Sequence, residues 1–406
     1  MEGSGPILVA LFGVLVVAAM VVRAGLQPFG VPALVGYLIL GLLVRLADGT
    51  WGFVPEPGHV FLETLGRIGV IVLLFRVGLE SDVDTLRGQL GRAGPVWAGS
   101  VVGSGLVGFG AARWILGFAL VPSLFTAVAM TATSVGVSLG VWREMDAISS
   151  ETGALLVDTV ELDDFSGVAL VGLLFSVAPV LHAGGGGELM PVLLQTSALV
   201  VLKAGLFLGL CYVFARYAER PLTRFTGRWL GEPRRILVVV GVGFLLAALA
   251  EQLGFSFAIG AFFAGLVFSR DPEAGDLDAA FETLYELFVP FFFIWMGLSI
   301  RPEILSGVGG LAAVLVVAAV GGKVLGTMAP AVPVSGWLAG LAVGISVVPR
   351  AEITMVVMER GTRLGDWAVP PDLFAGMFVV VLVTSAVFPL ISRRLLEARP
   401  EIGGGS

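Results

Sequence analysis

Stretches of about twenty residues without Asp, Glu, Lys or Arg recur along the whole chain, and they constrain its fold more than any other feature. Gly3 to Val22, Ala24 to Val44, Ala93 to Ala112, Trp114 to Trp142, Phe165 to Gly187, Ile304 to Gly322, Val324 to Pro349 and Leu373 to Ser392 are such stretches. A helix needs roughly 18 to 20 apolar residues to cross a bilayer core, so several of them are long enough. Of the 406 residues 57% are apolar and 14% charged, where a soluble chain carries about 25% charged residues. The runs do not alternate, which excludes an outer-membrane barrel of alternating segments. The expectation is an all-α polytopic membrane protein.

The lone Cys211 allows no intramolecular disulfide, and two histidines are too few for a histidine-built metal site. No cofactor, no nucleic-acid partner and no enzymatic activity is expected. The 57 glycines are about twice the usual share of about 7%. Membrane helices use glycine to approach closely, and Val101 to Gly105 and Gly307 to Gly310 read as tight helix contacts.

Thirteen spans fit the sequence, near 6–25, 30–46, 60–79, 94–116, 121–142, 151–179, 190–216, 233–251, 253–270, 282–300, 305–329, 336–359 and 371–392. Basic residues near span ends number 15 on the side that follows odd-numbered spans and 6 on the other. The positive-inside rule then puts the N-terminus outside and the C-terminus in the cytoplasm, which agrees with an odd number of spans. The short leader holds Glu2 and no Lys or Arg, unlike a cleaved signal, and Gly403 to Ser406 reads as an unstructured end.

The basic loop from Arg216 to Arg235 follows span seven and leaves six spans on either side. Two six-helix halves joined by an odd helix must lie in opposite orientations, which is the arithmetic of an inverted repeat. Spans five and twelve then correspond. The first is interrupted by Thr131-Ala132-Thr133-Ser134 and the second by Ser346-Val347-Val348-Pro349-Arg350. Matching breaks in two halves point to a transport site.

Charges inside spans are costly and need a reason. Asp158, Glu161, Asp163 and Asp164 crowd the start of span six, with Asp158, Glu161 and Asp164 on one i, i+3 ridge and Asp163 on a neighbouring face. Such a cluster cannot stay fully ionised in a dry interior, so a member can bind either a proton or a cation. The alternative is a solvated loop, but Pro179 and the glycines after it are expected to end the helix, and Phe165 to Ala178 alone is too short to span. Lys323, with 19 uncharged residues before it and 26 after, needs a carboxylate, for which Asp163 is the choice, or else loses its proton. A fixed ion pair that only joins two helices is the plainer reading. Arg350 and Glu352 follow Pro349, which should break the helix at Val348. Arg350 stays charged and needs an acid, with Glu352, Asp158 and Glu161 as candidates. This charge set reads as scaffold more than as ion ligand, and Thr131, Thr133 and Ser134 offer hydroxyls to the same cavity. Lys203, in span seven, reads as a linker-helix residue near water.

Together these residues resemble the monovalent cation:proton antiporters, in particular their second family, which includes bacterial sodium/proton antiporters and the membrane domains of potassium-efflux systems. Pro32 to Gly41 is similar to the family's second-span signature and Leu74 to Glu80 to its third. Thr131 to Ser134 resembles the first unwound helix, Leu162-Asp163-Asp164 the paired aspartates, and Pro290 to Leu298 a further element. Gly322-Lys323 resembles the lysine position and Pro349-Arg350-Ala351-Glu352 the second broken helix.

The resemblance implies sodium/proton exchange by elevator-like alternating access. Ion and proton would compete for Asp164, assisted by Asp163, Thr131, Thr133 and Ser134, with Lys323 coupled to Asp163 and with Arg350, Glu352, Glu161 and Asp158 as supporting charges. The exchange would be electrogenic, more protons than sodium ions moving per cycle. It implies a homodimer in the inner membrane, in contact with lipid. Dimer-domain helices would occupy 1–92 and 232–303, core helices 93–180 and 304–399, a linker helix and basic loop 181–231, and a tail 400–406. Asp158, Glu161 and Ala351 depart from the family pattern. A potassium/proton antiporter of the same family and a sodium-coupled organic-anion symporter of the same fold are the alternatives. An intramembrane aspartyl protease would place its two aspartates on separate helices, and a channel would need an open path lined by rings or carbonyls.

Overall fold

The computed structural model describes residues 5–80, 90–183, 189–219, 221–222, 225, 232–269 and 274–403, and all regular structure among them is helical. Arg87, Arg220, Arg224, Arg228 and Arg270 of the orientation count, the glycines at 184–187 and the last three residues lie outside the described residues.

The helices in chain order are α1 (Gly5–Leu26), α2 (Ala33–Trp51), α3 (Glu56–Glu80), α4 (Gly94–Gly110), α5 (Leu120–Thr131), α6 (Val135–Glu144), α7 (Glu151–Ala183) and α8 (Leu189–Val213). There follow α9 (Glu232–Gln252), α10 (Phe257–Phe268), α11 (Ala274–Leu298), α12 (Gly309–Ser335), α13 (Trp337–Ser346), α14 (Glu352–Leu364) and α15 (Pro371–Ala398). Among the described residues eight helical segments are long and apolar enough to cross a membrane, so the chain is a polytopic membrane protein. Span five is the pair α5 and α6, and span twelve is the pair α13 and α14. One sequence expectation is corrected: α7 runs through Pro179 to Ala183, because a proline in the last turns removes a single backbone bond. The second break spans Val347 to Ala351 and includes Val348, the position that Pro349 restricts.

Cα packing divides the chain into two compact units. The first holds Met1–Ala18, Ala47–Val83 and Phe175–Trp295. Its centre is a crossing of α3 and α10 that only glycine permits. A Cβ on Gly78 would lie 2.0 Å from the Phe262 carbonyl oxygen, and one on Gly265 would lie 2.0 Å from that of Phe75. Phe75 then packs between Phe268 and Phe281, with ring centroids 6.2 and 5.3 Å away.

The second unit holds Ala19–Leu46, Asp84–Leu174 and Met296–Ser406. Here α4 and α12 cross through a reciprocal glycine contact, a Cβ on Gly99 falling 2.4 Å from the Gly326 carbonyl and one on Gly326 equally near that of Gly99. Gly103 and Gly322 extend the contact. Gly307 to Gly310 do not form a second one. A Cβ on Gly309 or Gly310 would meet nothing within 4 Å, because both stand exposed at the start of α12. Below the helix breaks lies an apolar core around Trp142, Leu155, Leu156, Val343 and Val347. The packing also groups Ala19–Leu46 with this unit, whereas the sequence reading kept residues 1–92 together. The reason is local: a Cβ on Gly297 would sit 2.1 Å from the Leu38 carbonyl, and Arg393 lies against Gly30.

Candidate functional site

Both helix breaks belong to the second unit and meet each other. After Thr131 the backbone turns extended at Ala132 (φ −68°, ψ 143°) and helix resumes at Val135. The other break runs from Val347 to Ala351. The Ser134 amide donates to the Pro349 carbonyl at 3.0 Å, so one unwound strand supplies a backbone partner that the other lost with its helix.

Four half-helices end here, α5 and α13 by carbonyl ends, α6 and α14 by amide ends. Helix ends carry partial charges of opposite sign, about half a unit each. The side chains at the crossing match them. Arg350, fully buried, donates to the carbonyls of Val348 (2.7 Å), Met130 (2.6 Å) and Ala319 (3.2 Å). It pairs with none of Glu352, Asp158 or Glu161, which corrects the sequence expectation. The carbonyls released by the two breaks take the place of an acid, and a planar guanidinium with five donors suits several of them at once. Its own backbone is held by Thr384 and Ser385, the latter donating to the Arg350 carbonyl at 2.7 Å. Glu352 occupies the first turn of α14, where an anion is favoured, and accepts from the Ser134 hydroxyl at 3.1 Å.

The two aspartates of α7 have opposite surroundings. Asp163 Oδ2 accepts from Lys323 Nζ at 2.6 Å, from Thr133 Oγ1 at 2.7 Å and from Ser100 Oγ at 3.3 Å. Lys323, with no exposed surface, also donates to Ser100 Oγ at 2.8 Å. The glycine crossing of α4 and α12 makes this possible, because it brings the Ser100 and Lys323 backbones close enough for their side chains to meet. Asp164 is 3% exposed, yet it makes no side-chain hydrogen bond among the described residues, and its Oδ1 is a buried acceptor with no donor. Glu352, Asp163 and Glu161 are the charges whose field acts most on it, with Lys323 opposing them.

The other candidates are distributed as follows. Thr133 and Ser134 are in the group. Thr131 donates to the Val128 carbonyl of its own helix at 2.8 Å and adds no hydrogen bond to it. Asp158 and Glu161 are half-buried on α7, outside the hydrogen-bonded group. Lys203 belongs to the first unit, half-buried beside the Gly254 turn. Ser100 was missed, although Ser100 and Ser104 stand four residues apart in an apolar span, the spacing of one helix face. Among the described residues no three acidic, histidine or cysteine side chains converge as a metal site. A cation here would depend on one carboxylate with hydroxyl and carbonyl oxygens.

Residues 14–398 match the protein family described as sodium/hydrogen exchanger, transmembrane. The chain is similar to the high-affinity Na(+)/H(+) antiporter NhaS3 of Synechocystis, with 28% identity over 97% of this chain and 84% of that protein. It is similar to the Na(+)/H(+)-K(+) antiporter GerN of Bacillus cereus, with 24% identity over 89% of each. Among solved structures, the sodium proton antiporter MjNhaP1 of Methanocaldococcus jannaschii shares the fold with a TM-score of 0.71. That likeness covers 98% of this chain and 97% of the other at 15% identity.

Proposed function

The chain belongs to the transmembrane sodium/hydrogen exchanger family, and from that membership we propose that it is a sodium/proton antiporter whose ion and proton compete for Asp164. The observation that carries the assignment of the residue is the contrast between neighbours. Asp163 is held through Oδ2 by Lys323, Thr133 and Ser100, while the buried Asp164 carboxylate accepts no side-chain hydrogen bond among the described residues and its Oδ1 has no donor.

A bare carboxylate charge in a low-dielectric interior is costly. Binding a proton removes that cost and so does binding a sodium ion, but one carboxylate does not hold both. If the core helices carry the site between the two faces only when Asp164 is neutralised, the empty charged site does not cross, and the two flows are coupled without a leak. The breaks serve this because unwound backbone in a buried unit offers carbonyl oxygens that can replace part of a cation's water shell. The Asp163 and Lys323 ion pair sits one residue from the site, and the balance between its two opposite charges depends on what Asp164 holds.

In this reading the core helices of 93–180 and 304–399 are the moving body, and the helices of 1–92 and 232–303 form the contact of a homodimer in a lipid bilayer. The protein lies in the cell membrane with its N-terminus outside. The name of the Synechocystis relative favours sodium as the cation, and that of the Bacillus relative keeps potassium as the rival.

The test is exchange in proteoliposomes. Asp164→Asn should abolish cation-driven proton movement at every cation concentration, and retained exchange removes Asp164 from the site. Currents measured on solid-supported membranes with sodium, potassium and lithium in turn decide the cation. Currents driven by an organic anion without proton movement would favour the symporter.

A further inference from the structure

Away from the helix breaks, the second unit carries an apolar groove of about 390 Å³ between the first half of α12 and the middle of α15. Its floor and near wall come from Val308, Gly309, Ala312, Ala313, Val316 and Val317, a stripe at the three- and four-residue spacing of one helix face. Val379 and Val383, one turn apart on α15, form the far wall. A Cβ added to Gly309 would meet nothing within 4 Å, so this glycine serves no helix contact and only widens the groove.

Three features identify the occupant. An apolar groove offers water no partners. At roughly 30 Å³ for a water, and about as much for a methylene, it takes about a dozen methylenes in a row. From Gly309 to Val317 the helical rise of about 1.5 Å per residue gives roughly 12 Å, which fits within one leaflet of a hydrocarbon core of about 30 Å. In the loop that joins α11 to α12 Arg301 is exposed one turn before Leu305 and makes no ion pair, with Glu303 or any other described acid. An exposed guanidinium four residues before the first lining residue of an apolar groove matches the two ends of an anionic lipid.

We propose that this groove is a binding site for one anionic phospholipid, an acyl chain lying along α12 and the phosphate on Arg301. The site needs only that the chain is membrane-embedded, and it stands or falls independently of the antiport reading. Its occupant would stiffen the helix that carries Lys323 six residues beyond the end of the groove.

Native mass spectrometry of the full-length protein in detergent, titrated with phosphatidylglycerol or phosphatidylcholine, tests it. The wild type should retain one phosphatidylglycerol in preference to phosphatidylcholine. Arg301→Gln should lower phosphatidylglycerol retention about fivefold, the equivalent of about 1 kcal/mol for one basic residue at a lipid surface, and remove the preference. Gly309→Leu puts a side chain into the groove from a position where an added Cβ meets nothing within 4 Å, and it should lower retention of both lipids while the thermal midpoint stays as in the wild type. Equal retention of the two lipids by the wild type, or unchanged retention by Gly309→Leu, would overturn the proposal. So would a Gly309→Leu protein that keeps its lipid and loses its oligomeric state, since the groove would then hold a second copy of the chain.

Discussion

At the scale of single residues, environment separates side chains that the sequence presents as equals. Asp163 and Asp164 are adjacent and identical, but about 100° apart on α7, so one meets Lys323 and the other meets no donor. Lys323→Ala should therefore alter the voltage dependence of sodium-driven current, and an unchanged current under a sodium gradient would leave Lys323 a purely structural role. Arg350 answers to different physics. Replacing it with Met orphans the break carbonyls of Met130 and Val348, while the Ala319 carbonyl keeps its partner inside α12. Each unsatisfied buried group costs about 1 to 3 kcal/mol, so the variant should lose at least about 2 kcal/mol of stability. Arg350→Lys should recover only part of it, because an ammonium cannot present a planar fork. Equal thermal midpoints for wild type and Arg350→Met would show the clamp to be idle.

At the scale of elements, the crossing of α4 and α12 sets the geometry of the Lys323 pair. A valine at Gly326 would bring its Cβ within 2.4 Å of the Gly99 carbonyl. Overpacking of this kind costs roughly 1 to 3 kcal/mol. It should also push Lys323 away from Ser100 and Asp163, so exchange should fall further than in variants of equal stability mutated elsewhere. Gly310→Leu is the control and should change neither stability nor exchange, since that position faces open space. If the two substitutions behave alike, close approach is not what positions the pair. Both glycines stand in apolar, glycine-rich runs that read the same in sequence. Only the partner across the interface tells them apart.

At the scale of the whole molecule, competition for one carboxylate predicts how transport responds to its two substrates. Lowering the pH on both faces should raise the sodium concentration needed for half-maximal exchange, with the maximal rate recovered at high sodium. Sodium uptake indifferent to acidity on both faces would end the competition reading. The charge asymmetry of the loops predicts a cytoplasmic C-terminus, so a tag after Arg399 should resist labelling from outside intact cells.

Much of this protein follows from its sequence alone. Uncharged runs of bilayer length dictate helices, because a backbone in lipid must satisfy its own hydrogen bonds, and the polytopic all-α class and family membership follow from their order and motifs. The two interrupted spans were legible as well, since proline and polar residues weaken a helix locally whatever surrounds it. Contacts between distant segments were not. That Arg350 binds carbonyls and no acid, that Ser100 completes the Lys323 pair and that Thr131 turns back on its own helix all depend on which surfaces face each other. Sequence periodicity gives the face of a helix on which a residue stands. The neighbour that covers that face is decided by packing, and here it is set by glycines at which an added Cβ would fall about 2 to 3 Å from the facing helix.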